Sequence, residues 1–253
     1  MVTEFKNKTA LVVGGTTGIG EAVVREFLSR GCNVVFAGIE QQIGLALQQS
    51  LGTSEGARTL FVRTDVRIES EVETLMRTAE EHFGRVHFAL NNAGYEGPFG
   101  PVQDADEADF DRIIGTNLKG VWLGMKHEIK HMLRHGGGSI VNTSSSAGVV
   151  SIPQIGIYSA SKHGIIGLSK AAALEQARAG IRINVIAPGP VRTGLLSRMV
   201  EGKIGLDAIA ESVPMGRISE PSEIAQSVLW LCSSAASFVT GHTLVLDGGV
   251  TVA

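Results

Sequence analysis

The chain has 253 residues, of which 43% are apolar and 19% charged, with a net charge of −3. This length and apolar share suit one large domain and exclude a chain that is disordered throughout. Without a basic run or a long apolar segment, neither nucleic acid nor a membrane is expected as a partner. The N-terminus lacks the pattern of a signal peptide, so we expect a cytoplasmic protein in which Cys32 and Cys232 are buried thiols.

Seven short runs rich in β-branched residues predict strands. They cover residues 9–13, 33–36, 59–62, 88–91, 139–142, 181–186 and 243–246. Helical spacing of apolar residues predicts a first helix from Ile19, which Gly31 ends in a left-handed conformation. Further helices are predicted near 69–83, 107–134, 157–178 and 221–233. This alternation predicts one α/β domain over 1–253, a doubly wound parallel seven-stranded sheet with helices on both faces.

A glycine-rich loop follows the first predicted strand and runs into the first helix. Glycines let the backbone approach phosphates without Cβ atoms, and a helix N-terminus offers free N–H groups and a positive dipole end. The spacing is GxxxGxG with no following GK[ST], which disfavours a P-loop nucleotidase. The loop therefore predicts a pyrophosphate site formed by Gly14, Thr16, Thr17, Gly18, Ile19 and Gly20.

Three further motifs lie in order along the chain: Asn91-Asn92-Ala93-Gly94, Tyr158-Ser159-Ala160-Ser161-Lys162 and Pro188-Gly189. Together with the glycine loop they make the chain resemble the short-chain dehydrogenase/reductase superfamily, from about Lys8 to Gly249. The resemblance implies a single-domain Rossmann-like fold and an NAD(P)-dependent oxidoreductase that transfers a hydride between nicotinamide and a carbonyl or secondary alcohol. Val13 departs from the family's threonine before the first loop glycine, and we expect cofactor binding to be retained.

The resemblance also implies the remaining cofactor contacts. Two residues would flank the adenine, three would border the cofactor after the fourth strand, and four would lie against the nicotinamide. Tyr158 and Lys162 would contact the cofactor as well. In chain order, the first three groups are Asp65 and Val66; Asn92, Ala93 and Gly94; and Pro188, Gly189, Val191 and Thr193.

The choice between NAD and NADP is expected at the end of the second strand. NAD-preferring relatives usually have aspartate at the position of Gly38, and NADP-preferring ones often have arginine at that of Ile39. Neither of these residues is present, and Thr16 in the glycine loop offers no positive charge for a 2′-phosphate. Glu40 could accept from a ribose 2′-hydroxyl or repel a phosphate, or it could simply be a solvated residue at a helix start. We expect NAD(H) to be preferred, with NADP(H) as the alternative.

Tyr158 and Lys162 are four residues apart on a predicted helix and therefore share a face. Lowering a phenol's pKa by about three units costs about 4 kcal/mol. One ammonium about 4 Å away supplies roughly that at an effective dielectric near 20, so Tyr158 can act as general acid or base. The resemblance selects Ser145 to hydrogen-bond the substrate oxygen and Asn117 to hold a water that links Lys162 to solvent.

Other readings of the same residues are weaker. His127, His131 and His135 recur every four residues, but the three cations Lys126, Lys130 and Arg134 beside them disfavour a metal, so a solvated or interface face and no metal site are expected. The S-x-x-K string that ends at Lys162 lacks the S-D-N and K-T-G partners of penicillin-recognising hydrolases. A dinucleotide-sensing Rossmann protein without catalysis is the alternative function; it would lack one of the four catalytic residues, and all four are present.

The resemblance places a substrate lid near 191–217. Tyr95, Ile155, Leu195 and Met199 are candidates for an apolar pocket that takes a ketone or secondary alcohol, with core packing as the alternative for each. The resemblance further implies a homotetramer built from the helices near 107–134 and 157–178 and the C-terminal strand.

Overall fold

The computed structural model describes residues 4–52, 58–200 and 205–253. Its strands are β1 (Thr9–Val13), β2 (Asn33–Gly38), β3 (Thr59–Arg63), β4 (Phe88–Asn91), β5 (Gly138–Thr143), β6 (Ile181–Pro188) and β7 (Thr243–Leu246). Its α-helices are α1 (Gly18–Ser29), α2 (Gln41–Leu51), α3 (Glu69–Phe83), α4 (Glu107–Ile114), α5 (Gly120–Arg134), α6 (Gly156–Gln176), α7 (Gly194–Val200), α8 (Leu206–Ser212) and α9 (Pro221–Cys232).

The seven strands form one parallel sheet in the order β3-β2-β1-β4-β5-β6-β7. The predicted strands and doubly wound fold are confirmed, although several strands extend one or two residues beyond the prediction. The strand order reverses between β1 and β4. In such sheets a crevice opens at the carboxyl ends of the two strands on either side of the reversal, and ligands bind there.

Both faces of the sheet are apolar and covered by helices. On β2, Val34 and Phe36 pack on the side of α1, α2 and α9, whereas Val35 and Ala37 pack on the side of α3, α5 and α6. Alternate strand residues point to opposite faces, so burial of both faces requires a nearly continuous apolar run. None of the described helices is long and apolar enough to cross a membrane.

The predicted helix near 107–134 is not continuous. It consists of α4, a wide π-helical turn over Gly115–Lys119, and α5. Such single wide turns are frequent at functional sites. The apolar spacing of the sequence continues through the turn and could not reveal it, because the turn changes the backbone hydrogen bonds without ending the helical path.

Helix α2 was not predicted from apolar spacing, although one interpretation of Glu40 placed it at a helix start. Its glutamine-rich segment gives a weak apolar pattern, and tertiary contacts decide its position instead. Gly44 approaches the ring of Phe61 so closely that a Cβ at this position would clash with it, and Gln48 Oε1 accepts a hydrogen bond from Phe61 N at 2.5 Å.

The two cysteines are free thiols buried in the same apolar core. Burial raises the pKa of each to about 12, and in Cys32 the neighbouring Cys232 adds to this effect. Both side chains are therefore neutral thiols with little reactivity.

Candidate active site

The glycine loop turns sharply between β1 and α1. Gly14 and Gly18 have φ angles of 75° and 57°, in the left-handed region, and a Cβ on Gly14 would lie 2.5 Å from Ala93 N. Thr17, the N-cap residue of α1, makes no side-chain hydrogen bond to the first helical turn. The N–H groups of that turn are thus free of a cap and fit the oxygens of a pyrophosphate.

The ends of three strands and the segment after β6 meet at this loop. Asn92 Nδ2 donates to Gly14 O at 3.1 Å, and Thr143 Oγ1 donates to Asn92 Oδ1 at 3.2 Å. On the other side, a Cβ on Gly18 would lie 3.0 Å from Thr193 Cγ2. The predicted nicotinamide-side residue Thr193 therefore lies against the glycine loop.

The predicted adenine-binding residue Asp65 already has an ionic partner. Arg67 donates to the Asp65 carboxylate from its Nε at 2.9 Å and from a terminal nitrogen at 2.6 Å, and these bonds lower the pKa of Asp65. Val66 is buried beside Asp65, where it contacts Gly120 closely. Sequence reasoning missed Arg67, although its place two residues after Asp65 allows this local pairing.

The end of β2 carries no charged side chain before Glu40. A Cβ on Gly38 would lie 2.7 Å from Thr16 Cγ2, so Thr16 fills the space where a longer side chain would begin. Ile39 and Glu40 are exposed. The register pairs Gly38 with Arg63 of β3, a cation that sequence reasoning did not place here, and Glu71 binds Arg63 at 2.7 Å.

The four predicted catalytic residues come together above β4 and β5. Asn117, in the π-helical turn, is fully buried; its Oδ1 accepts from Tyr95 N at 2.7 Å, and its Nδ2 donates to Tyr95 O at 3.0 Å. Lys162 Nζ donates to Thr143 O at 3.0 Å and lies 5.5 Å from the centre of the Tyr158 ring. Ser145 hydrogen-bonds the Tyr158 side chain. The Asn117 side chain thus fixes the loop after β4.

The expected lowering of the Tyr158 pKa by Lys162 is wrong for the structure described. Burial raises the pKa of Tyr158 to about 12; its hydrogen bond to Ser145 lowers the pKa and the carboxylate of Glu96 raises it. Burial also lowers the pKa of Lys162 to about 8, because the charged ammonium loses water. The expectation from sequence counted the attraction between the Lys162 ammonium and a tyrosinate, but it left out the water that both side chains lose on burial.

An apolar cluster surrounds Tyr158. Three of the predicted substrate residues, Tyr95, Ile155 and Met199, belong to it, whereas Leu195 does not. The guanidinium carbon of Arg112 lies 3.9 Å from the centre of the Tyr95 ring. Members that sequence reasoning missed are Ile113, Ala147, Phe99 and Ile157. Their positions on separate elements leave no common sequence pattern.

One ion pair lies at the edge of this cluster. The carboxylate of Glu96, a residue only 6% exposed, accepts from Arg198 Nε at 2.6 Å and from a terminal nitrogen of Arg198 at 3.2 Å. Glu96 lies between β4 and α4, and Arg198 lies on α7. Sequence reasoning missed both, because no motif links residues this far apart.

The predicted lid near 191–217 contains α7 and α8; its residues 201–204 lie outside the described part of the chain. Its two ends meet where Arg192 N donates to Ser219 O at 2.9 Å and Ser219 N donates to Pro190 O at 3.1 Å.

A cavity of about 530 Å³ lies beside β7 and is partly lined by Val213 and Met215, but by none of the four predicted catalytic residues.

The histidine face of α5 is partly buried within the chain. It packs against α3, where Glu80 lies 3.3 Å from His131 Nδ1 and 3.0 Å from His135 Nε2. These three groups are close enough to hold a metal ion. However, His131 Nε2 accepts a hydrogen bond from Val86 N at 2.9 Å, so the neutral ring carries its proton on Nδ1, the atom that faces Glu80. With Nε2 accepting a hydrogen bond and Nδ1 protonated, His131 contacts Glu80 and offers no free ring nitrogen to a metal ion.

A parallel doubly wound sheet, a glycine loop at its reversal point and a buried tyrosine–lysine pair define a dinucleotide-binding oxidoreductase. Residues 13–251 match the family model described as enoyl-(acyl carrier protein) reductase. The chain is 38% identical to 2,5-dichloro-2,5-cyclohexadiene-1,4-diol dehydrogenase of Sphingobium indicum, over 99% of each chain.

Two solved structures are also similar. The crystal structure of levodione reductase has a TM-score of 0.94 and 32% identity, covering 98% of this chain and 99% of the other. The structure of ElxO with NADP bound has a TM-score of 0.89 and 33% identity, covering 96% of this chain and 98% of the other. The chain belongs to the short-chain dehydrogenase/reductase superfamily. It is an NAD(P)-dependent oxidoreductase of alcohols and ketones.

Proposed function

We propose that this enzyme interconverts a cyclic secondary alcohol and its ketone, with Tyr158 as the proton donor or acceptor. The observation that carries the proposal is the position of the Tyr158 side chain, 7% exposed, within an apolar cluster and beside Ser145 and Lys162. The nicotinamide supplies or accepts the hydride when bound. The chain positions the carbonyl and moves the proton.

Each polar side chain has a defined part in this proposal. In reduction, Tyr158 donates its proton to the carbonyl oxygen as negative charge develops there. The raised pKa of Tyr158 keeps it protonated at neutral pH, which suits this role as an acid. Ser145 Oγ accepts from Ala147 N at 3.1 Å, which orients the hydroxyl that hydrogen-bonds the substrate oxygen. Lys162 holds the nicotinamide ribose hydroxyls, and Asn117 keeps the water that connects Lys162 to solvent.

The proposed cofactor site joins the crevice residues into one surface. The pyrophosphate lies on the glycine loop, the adenine between Asp65 and Val66, and the nicotinamide against the segment from Pro188 to Thr193. We propose NAD(H) as the preferred cofactor, because Glu40 is exposed and can accept from a 2′-hydroxyl, and Glu71 holds the neighbouring cation Arg63. ElxO, whose structure contains NADP, makes NADP(H) the alternative.

The substrate class is inferred from the pocket and from a relative. The cluster around Tyr158 is apolar, which suits a hydrocarbon ring, and the Sphingobium indicum relative is named for a cyclohexadiene diol. We infer that α7 and α8 form a lid over this ring. Tyr95, Ile155 and Met199 contact it, and Leu195 lies nearer the mouth.

We also propose a cytoplasmic homotetramer. Large apolar side chains are exposed on the helices expected at the interfaces: Phe110 on α4, Trp122 and Leu133 on α5, and Leu174 on α6. Exposed apolar surface of this kind is typical of protein–protein contacts. The free, buried cysteines agree with a reducing compartment.

Replacing Tyr158 by phenylalanine tests the mechanism. Y158F removes only the hydroxyl, so turnover of cyclohexanone with NADH is expected to fall by roughly a hundredfold to ten-thousandfold, the usual contribution of general acid catalysis. NADH affinity, measured by fluorescence titration, should change less than about threefold, a small free-energy difference. Near-normal turnover of any cyclic ketone accepted by the wild type would contradict the role of Tyr158.

A further inference from the structure

The Glu96–Arg198 pair is asymmetric in its exposure to solvent. The Glu96 side chain is 8% exposed, whereas that of Arg198 is 60% exposed. The guanidinium therefore covers a buried carboxylate from the solvent side and neutralises it. A buried carboxylate without such a partner would be strongly disfavoured. By comparison, both members of the Arg192–Glu220 pair in the same region are more than half exposed.

The pair joins the two segments that enclose Tyr158. Glu96 directly follows Tyr95, whose backbone N–H and C=O both hydrogen-bond the Asn117 side chain. Arg198 directly precedes Met199, which packs in the apolar cluster of Tyr158. A change at either end of the ion pair therefore acts on a wall of the proposed substrate site.

The charged groups of the site around Tyr158 come from several elements. Lys162 Nζ, one turn further along α6, lies 5.5 Å from the centre of the Tyr158 ring. Arg112 on α4 stacks on the Tyr95 ring, and Arg198 on α7 pairs with Glu96 in the loop after β4. Among these groups, Glu96 is the one whose carboxylate raises the pKa of Tyr158, and the same carboxylate raises the pKa of Arg198. Arg198 thus neutralises the negative charge that opposes a tyrosinate.

We propose that Glu96 and Arg198 form a clasp that holds α7 against the substrate site and sets the readiness of Tyr158 to exchange its proton. They are positioning residues, since they act through Tyr158 and the lid. This inference rests on the proposed function, because it requires Tyr158 to transfer the proton. Glu96 and Arg198 lie outside the catalytic motifs and the glycine loop, and they adjust the proton transfer by Tyr158.

Opposite substitutions give opposite results if the clasp tunes Tyr158. R198Q leaves the Glu96 charge without its partner, so the apparent pKa in the pH profile of cyclohexanol oxidation should rise by about one unit. E96Q leaves the Arg198 charge, so the apparent pKa should fall by about one unit. R198K retains the charge and should stay closer to the wild type than R198Q. R77Q, which breaks the exposed pair with Glu81 on α3 outside the proposed site, is the control and should leave the profile unchanged.

A second measurement does not depend on turnover. The chain has two tyrosines, so in a Tyr95→Phe background the ultraviolet absorbance of tyrosinate reports Tyr158 alone. Its titration midpoint should be higher with R198Q than with E96Q. A purely structural pair would weaken substrate binding in both variants and leave the two midpoints equal. Equal midpoints, or shifts of the same sign, would overturn the clasp. If Y158F instead retained turnover, the proposed function itself would fail, whatever the clasp variants do.

Discussion

Thr16 and Gly38 limit what the end of β2 can carry. Because a Cβ on Gly38 would lie 2.7 Å from Thr16 Cγ2, an aspartate there would have to displace the threonine. The preference for one cofactor therefore depends on the residues that follow, Ile39 and Glu40, and on Arg63 across the register. The close contact between Gly38 and Thr16 thus leaves no room for the aspartate of NAD-preferring relatives, and the neighbouring side chains have to set the cofactor preference.

Placing a cation at position 39 should change cofactor preference. Ile39→Arg would set a guanidinium beside the expected ribose, where it can pair with a 2′-phosphate. The ratio of NADPH to NADH affinity should rise by about tenfold, or about 1.4 kcal/mol. Ile43→Arg, at an exposed isoleucine in the first turn of α2, is the matched control. Parallel fluorescence titrations with both cofactors measure the ratio, and an unchanged ratio in I39R would place the recognition of the ribose elsewhere.

At the scale of elements, buried polar side chains join α5 to the centre of the sheet. Asn91 Nδ2 donates to Glu128 Oε2 at 3.0 Å and to Asn142 Oδ1 at 2.9 Å, and Asn142 Nδ2 donates to Ser169 Oγ at 2.9 Å. Glu128 Oε1 and Asn91 Oδ1 are buried acceptors for which the described residues offer no donor. A proton on Glu128 would supply one. Burial accordingly raises the pKa of Glu128 to about 7, against the smaller opposing effect of Asn91.

This carboxyl predicts a pH dependence of stability with a definite sign. Between the ordinary pKa of 4.5 and the folded value of about 7, the folded state binds more protons than the unfolded state, so stability falls as pH rises. The loss amounts to at most roughly 3 kcal/mol and is complete above the folded pKa. Glu128→Gln, which resembles the neutral acid, should remove this contribution.

Urea unfolding at several pH values between 4 and 8 tests this expectation, with the range chosen to bracket both pKa values. The wild-type free energy of unfolding should fall relative to that of E128Q as pH rises. Glu73→Gln, at an exposed position on α3, is the control and should run parallel to the wild type. Parallel curves for E128Q and the wild type would mean that folding does not shift the pKa of Glu128, contrary to this expectation.

At the scale of the whole molecule, the order of the strands brings the site together. The reversal between β1 and β4 places the glycine loop beside the ends of β4 and β5, so residues far apart in sequence share one crevice. Both faces of the sheet are covered within one chain. The surfaces left for the proposed association are the outer faces of the helices and the edge of the sheet at β7.

The proposed homotetramer predicts a solution mass of four 26.6 kDa chains by light scattering. Burying a charge in an apolar interface weakens subunit association. Leu133→Glu on the outer face of α5 should therefore lower the mass to that of a smaller assembly. Leu45→Glu on α2 is a matched control, because both leucines are about half exposed and α2 is outside the expected interfaces. A wild-type monomer, or equal masses for both variants, would contradict the proposed interface on α5.

The sequence by itself determined the sheet and the sites that depend on local spacing. Short runs rich in β-branched residues predicted the seven strands, and the central strands are nearly continuous in apolar character because they are buried on both faces. The left-handed Gly31 was confirmed with a φ of 78°. The glycine loop and the Tyr158–Lys162 pair could be identified from the sequence, because a pyrophosphate site and a proton-transfer pair each require residues at a fixed, short spacing. The family and the class of reaction followed from these motifs.

Only the tertiary structure decided which distant groups meet and how much water they lose. The Glu96–Arg198 pair joins residues on a loop and on α7, and no spacing rule connects them. The pKa of Tyr158 is raised instead of lowered because burial outweighs a favourable neighbour, and burial is a property of the packed molecule. The three histidines of α5 likewise depend on α3 for their environment. Local patterns are encoded within a few residues, whereas desolvation and long-range pairing arise when the elements pack.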